Sequence, residues 1–302
     1  MNINTEKLPN SEIKLTVTLE ASKVAESYNK IVENLVADAD IKGFRKGKAP
    51  KEVVLEKADV SKIHGEVISD LLKTYYPIVL KEKGIFPYSN PKIEIKEFEI
   101  DKDFIFEALI ALKPEIKVGD YKKVVKKLLE EKKKELKKAE KEAKKDASET
   151  EGEPTPEAPK ESEITAEEIV DAISNDSKIE VSQLLINEET DRLLERFISQ
   201  IRGLNLNVEQ LLQAQGKTYD DLLADHKKIA ENNIKSEFVL NEIIKTEKLE
   251  ASETEIEEFI KNLGDENLQK QFEAPSEKWY IKGIIEKNKA LDFLKNLGKD
   301  EK

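Results

Sequence analysis

The run Lys42-Gly43-Phe44-Arg45-Lys46-Gly47-Lys48-Ala49-Pro50-Lys51 holds five cations and one phenyl ring among two glycines and a proline, with no acid in it. Ammonium and guanidinium groups at this density pair with phosphate or carboxylate oxygens, the arginine in a two-pronged geometry, while Phe44 offers an apolar or stacking contact. In a chain of formal net charge -12 the segment is a local reversal of sign. Glycines on either side of Phe44-Arg45-Lys46 give the backbone conformations that other residues avoid, so a tight surface loop with outward side chains is expected. Pro50 suits the first turn of a helix, which the apolar spacing of the following residues continues. The competing reading is a solvated basic turn whose phenyl ring folds back into its own core.

Other chemistry finds little support in the sequence. Zero cysteines exclude disulfides, thiolate metal sites and a cysteine nucleophile, and suit a reducing compartment. The two histidines, His64 and His226, lie far apart in charged helical stretches and read as lone exposed residues. No His-x-x-x-His, Gly-x-x-x-x-Gly-Lys or Gly-x-Ser-x-Gly occurs, so no metal, nucleotide or hydrolase site is expected. Adjacent acids such as Glu130-Glu131 and Glu257-Glu258 splay apart on a helix instead of sharing a proton. The chain reads as a non-enzyme with no cofactor.

Around the basic loop, periodicity defines an α+β unit. Ile13 to Leu19 alternates as a half-buried strand, and Ala21 to Ala37 carries Val24, Tyr28, Ile31, Val32 and Leu35 at helical spacing. Val60 to Lys83 is a long helix burying Ile63, Val67, Ile68, Leu71, Leu72, Tyr75 and Val79, with Pro77 as a kink and Gly84 as its stop. Strands follow at Ile93 to Phe98 and Phe104 to Leu112. Lys126 to Lys145 holds ten Lys and five Glu, a charged helix with a sparse set of leucines at Leu128, Leu129 and Leu136. From 146 to 163 the composition turns to Ser, Thr, Glu, Ala and three prolines, which buries too little to offset its ordering entropy and reads as a flexible acidic linker.

Beyond Ile164 the pattern is helices with clear starts and stops. Thr165-Ala-Glu-Glu168, Thr218-Tyr-Asp-Asp221 and Ser252-Glu-Thr-Glu255 have the form of capping boxes, and Asn187 to Thr190 reads as a further start. Gly203 ends one helix, a short one falls within Leu204 to Gly216, and Pro275 opens the last, through Trp279 to Leu297. With 38% hydrophobic, 38% charged and 6% aromatic residues, the expected product is mainly helical, highly soluble and lightly packed. Met1 to Lys7 lacks an apolar signal core and no run approaches a membrane span, so a cytoplasmic protein without a membrane partner is expected.

The basic loop matches the pattern Gly-Phe-Arg-x-Gly-x-x-Pro at Gly43, Phe44, Arg45, Gly47 and Pro50, and so resembles the ribosome-docking signature of the trigger factor family of bacterial nascent-chain chaperones. The phrases Glu180-Val-Ser-Gln-Leu-Leu-Ile and Gln215-Gly-Lys-Thr-Tyr-Asp-Asp-Leu are similar to that family's carboxy-terminal body. The resemblance implies an α+β docking domain at 1–121, a charged linker helix at 122–145, the acidic linker at 146–163 and an all-α, arm-bearing chaperone domain at 164–302. It implies ribosome binding through Gly43, Phe44, Arg45, Lys46, Gly47, Lys48 and Pro50, with an exit-tunnel protein and rRNA of the large subunit as partners. Unfolded nascent polypeptides would be the clients, and a homodimer could form off the ribosome. Candidate client-lining residues are Phe197, Ile201, Leu204, Leu206, Phe238, Ile243, Ile256, Phe259 and Ile260, each also a candidate for plain helix packing. The family's usual FKBP-type prolyl isomerase domain has no counterpart here, because no Phe, Tyr or Trp lies between Tyr121 and Phe197 to line a proline pocket. A free holdase or assembly factor, and an isomerase acting through an unrecognised pocket, stand as alternatives.

Overall fold

The computed structural model describes residues 1–146 and 164–297. They fall into two compact units, one of Met1–Pro114 with the short segment Ser182–Leu185, the other of Glu115–Val181 and Ile186 onward.

In the first unit the order is β1 (Asn2–Leu8), β2 (Glu12–Leu19), α1 (Ala21–Asp38), α2 (Lys51–Lys57), α3 (Val60–Lys83), β3 (Lys92–Glu97) and β4 (Phe104–Ala111). The strands form one antiparallel sheet in the order β1-β2-β4-β3. Register places Val17 opposite Phe106 and Leu15 opposite Ala108 in the two central strands. Because side chains alternate along a strand, this register turns Leu15, Val17, Leu19, Phe104, Phe106 and Ile110 to a single buried face. There they meet Val24 and Val32 of α1 and Ile63, Val67, Leu71 and Val79 of α3 in one cluster.

Asp59 caps α3 by accepting from the Ser61 N–H at 2.9 Å, and the helix runs across Pro77 to Gly84, which closes it at φ +63°. Halfway along, the Ser27 hydroxyl and the Lys30 ammonium of α1 each donate to Asp70 of α3 at 2.7 Å. The Lys30 hydrogen bond holds the Asp70 carboxyl below its ordinary range. β1 was not foreseen from the sequence: Asn-Ile-Asn-Thr-Glu-Lys-Leu is a mostly exposed edge strand with almost no apolar alternation to betray it.

The second unit contains β5 (Ile116–Lys117), α4 (Tyr121–Asp146), α5 (Ala166–Asp176), β6 (Lys178–Ile179), most of α6 (Gln183–Gly203), α7 (Val208–Ala214), α8 (Tyr219–Glu247), α9 (Glu253–Lys261), α10 (Glu266–Phe272) and α11 (Pro275–Leu297). Its centre packs α5 against α8 and α11, with α4 on α5. Ile169, Val170 and Ile173 of α5, Phe238, Val239 and Ile243 of α8, and Ala290 and Leu294 of α11 are buried there. Two smaller clusters lie elsewhere in the unit. Leu194, Leu212 and Leu222 join α6, α7 and α8, and Ile256, Ile260 and Ile281 join α9 to α11.

Three details differ from the sequence reading. The helix assigned to a linker at 122–145 begins at Tyr121, and its first turns belong to the helical unit. Val125 is buried, the Tyr121 hydroxyl donates to the Glu247 carboxylate, and the Lys122 ammonium stands 2.9 Å from the same group. The start expected at Asn187 lies at Gln183 instead, because the buried Ser182 hydroxyl accepts from the N–H groups of Leu184 and Leu185 at 3.1 and 3.4 Å. A helix at Glu266–Phe272 was not foreseen. The acidic linker, apart from Asp146, lies outside the described residues.

A candidate docking loop and exposed apolar surfaces

The loop between α1 and α2 is built by its two glycines. Gly43 adopts φ +98° and Gly47 φ +72°, a region open to glycine and strained for other residues. The Phe44 N–H donates to the Ile41 carbonyl at 2.9 Å, the Lys48 N–H to the Arg45 carbonyl at 2.9 Å, and the Gly47 N–H back to Ala39 at 3.0 Å. These bonds turn the chain twice between Ile41 and Lys48 and stitch it to the end of α1. Ala49 is buried beneath the turn, and Pro50 is the cap of α2 rather than its first residue.

The side chains of this loop point away from the core. Phe44 is 43% exposed, and Lys42, Arg45, Lys46 and Lys48 are exposed. Among the described residues none of these four cations forms an ion pair or a side-chain hydrogen bond. Lys51, at the base, is held over the Tyr28 ring at 5.8 Å and reaches Asn29 at 3.3 Å. A half-exposed ring among four unengaged cations can bind an anionic, partly apolar surface without first breaking an internal bond.

The candidate client residues divide by burial. Ile201, Phe238, Ile243, Ile256 and Ile260 are buried and hold helices together. Phe197 and Phe259 are half-buried, the first with its ring edge-on to His226 at 5.3 Å, the second against the Ile256 cluster. Only Leu204 and Leu206 are open, 68% and 52% exposed in the turn after α6. Surface apolar groups that sequence reasoning missed include Phe86 at 85% and, on α11, Trp279 at 78% and Tyr280 at 56%. For Trp279 the signal was there: Ile281, Ile284 and Ile285 set the packed stripe, and Trp279 lies two residues before it, on the opposite side of a 3.6-residue turn, whereas Tyr280 shares the side of Ile284 and stacks on Phe272.

The histidines are not the exposed residues expected. His64 lies edge-on to Phe98 at 5.3 Å with Nε2 buried and unpartnered, and His226 uses Nδ1 against the Leu222 carbonyl at 2.9 Å. Among the described residues no cluster of His, Asp and Glu could hold a metal ion, and no helix is long and apolar enough to cross a membrane.

Comparison with known proteins agrees with this layout. Residues 1–149 match the family model described as bacterial trigger factor protein, and residues 157–298 that of the trigger factor C-terminus. The trigger factor of Halalkalibacterium halodurans is 35% identical over 122 residues, 40% of this chain and 28% of that protein. That of Clostridium kluyveri is 37% identical over 128 residues, 42% of this chain and 30% of its own length. The matched stretch thus spans less than a third of these relatives. A solved structure from work on promiscuous substrate recognition by the trigger factor chaperone aligns with a TM-score of 0.66, covering 98% of this chain and 99% of that one at 15% identity, which speaks to the fold alone. An α+β unit bearing a Gly-Phe-Arg-x-Gly-x-x-Pro loop, followed by a helical unit and matched by the two family models over residues 1–149 and 157–298, makes this chain a member of the trigger factor family.

Proposed function

We propose that this chain is an ATP-independent chaperone that docks at the ribosomal exit tunnel through the α1–α2 loop and shields nascent polypeptides, without a recognisable prolyl isomerase domain. The observation that carries the docking reading is the exposure of Phe44 among cations that have no partner among the described residues. Arg45 and Lys46 would pair with rRNA phosphates or acidic side chains at the tunnel exit, and Phe44 would fill an apolar notch on a protein there. Docking one unit holds the other near the emerging chain at high effective concentration, since both lie on one polypeptide.

Holding requires apolar groups that are scattered and shallow, so that many sequences bind weakly and leave again. Leu204, Leu206, Tyr219, Leu223 and Trp279 supply such groups on a densely charged helical surface. The isomerase-free reading is supported by the spacing of the two family matches, which leave only residues 150–156 between them, too few for a domain.

The test is ribosome co-sedimentation. Changing Phe44, Arg45 and Lys46 together to alanine abolishes sedimentation with ribosomes while the melting temperature moves by no more than about 2 °C, because exposed side chains carry little core energy. For the parent, bound protein falls steeply between about 50 and 200 mM salt if the contacts are to phosphates. Equal sedimentation of parent and triple variant makes the loop ordinary surface and favours a free holdase.

A further inference from the structure

Between α9 and α11 the helical unit has a surface cleft of about 260 Å³ lined by Glu253, Ile256, Lys278, Trp279 and Lys282. Ile256, 8% exposed, is its apolar base and belongs to the cluster that joins the two helices. Trp279 stands open beside it, its indole 78% exposed. Small-molecule sites usually enclose about 300–1,000 Å³, so this cleft suits one or two side chains of a longer chain rather than a whole cofactor.

Its charge runs against that of the chain. Lys278 and Lys282 sit one turn apart on either side of Trp279, and Lys278 makes no ion pair or side-chain hydrogen bond with any described residue. Lys282 has only a loose partner, Glu286 at 3.6 Å, and that carboxylate already accepts from the Ala251 N–H at 3.2 Å. Glu253 is the single acid among the lining residues. Of the two ammoniums beside the indole, Lys282 is partly offset by Glu286, while Lys278 is unpaired among the described residues and gives the apolar face a hydrogen-bond donor for an anion.

Building on the chaperone reading above, we propose that this cleft is a client subsite selective for an apolar side chain flanked by carboxylates in an unfolded polypeptide. A segment flanked by lysines would bring its charge against Lys278 and Lys282 with only Glu253 to offset them. On a chain of net charge -12, a cationic apolar cleft of this kind extends the client range to acidic-apolar stretches.

Trp279 is the only tryptophan in the chain, so its emission reports this cleft directly. The full chain is titrated with three blocked tetrapeptides, Glu-Leu-Leu-Glu, Lys-Leu-Leu-Lys and Glu-Ser-Ser-Glu, at about 20 mM and about 500 mM salt. The expected result is a saturable change with the first peptide, binding about fivefold tighter than the second at low salt, with the gap closing at high salt. The third, lacking apolar groups, binds more weakly than the first. Lys278→Glu with Lys282→Glu reverses the order of the first two peptides, and Lys278→Gln with Lys282→Gln removes it, with circular dichroism confirming the fold of each. Emission unchanged by all three peptides, or equal or tighter binding of the lysine peptide, overturns the subsite. Suppression of aggregation of a chemically denatured protein is measured in parallel: its absence in the parent chain sinks the chaperone reading, whereas its presence without peptide selectivity sinks only the subsite.

Discussion

At Gly47 the backbone sits at φ +72° and an added Cβ would stand 2.7 Å from the Ala37 carbonyl oxygen, whereas at Gly43, φ +98°, nothing lies within 4 Å of that position. Both residues are strained by a side chain, but only Gly47 would also have to push the end of α1 aside. Gly47→Ala is expected to destabilise the first unit by about 2 kcal/mol and Gly43→Ala by about 1 kcal/mol, read from urea midpoints. Equal effects would mean that the contact with Ala37 relaxes freely. This part of the site was legible in the sequence because glycine spacing and charge are local properties. Which apolar residues stay exposed was not, since Phe238 and Leu204 are equally apolar in sequence, and only the packing of α8 against α5 and α11 buries the first and leaves the second open.

Helix ends carry the element-scale argument, and α9 is the sharpest case. The Ser252 hydroxyl accepts from the Glu255 N–H, the Glu255 carboxylate accepts from the Ser252 N–H at 2.8 Å, and the Lys289 ammonium of α11 reaches the same carboxylate at 2.7 Å. Led by the Lys289 hydrogen bond, these contacts lower the Glu255 carboxyl from 4.5 to about 2. A carboxyl depressed on folding adds stability above its unfolded value and loses it as pH falls through the folded one. The stability gap between the parent and Glu255→Gln is therefore full above about pH 5 and closes toward pH 2; a gap constant over that range removes the ion pair as its cause. The capping boxes at Thr165, Thr218 and Ser252 were readable because they are four-residue patterns whose partners are local. The start of α6 was not: Ser182 is one of many serines, and the neighbouring Asn187-Glu-Glu-Thr190 imitates a cap in mid-helix. Two-residue strands such as β5 and β6, and a helix as short as α10, leave too few residues for any period to show.

Across the whole molecule, packing is uneven in a way that bears on the proposed holding of clients. In the first unit the two central strands share a single continuous core with α1 and α3. In the second, α7 is anchored by Leu212 with the partly buried Val208, and α10 by Phe272 packed at the edge of the Ile256 cluster. Each of these helices has seven residues, too short to be stable alone in water, so its order depends on those few contacts. Local opening draws on regions with few buried apolar contacts, and here such regions adjoin exposed apolar groups, Leu204 and Leu206 before α7 and Leu268 within α10. Transient opening would widen the apolar surface offered to an unfolded segment and let it close again on release. Hydrogen exchange followed by mass spectrometry should find the amides of β2, β4 and the middle of α3 the slowest, and those of Val208–Ala214 and Glu266–Phe272 the fastest among the described helices. Addition of an unfolded client should slow exchange in these two short helices before it alters the sheet. Protection of α7 and α10 equal to that of β4 would mean a rigid surface, and client breadth would then have to come from the scatter of fixed side chains alone.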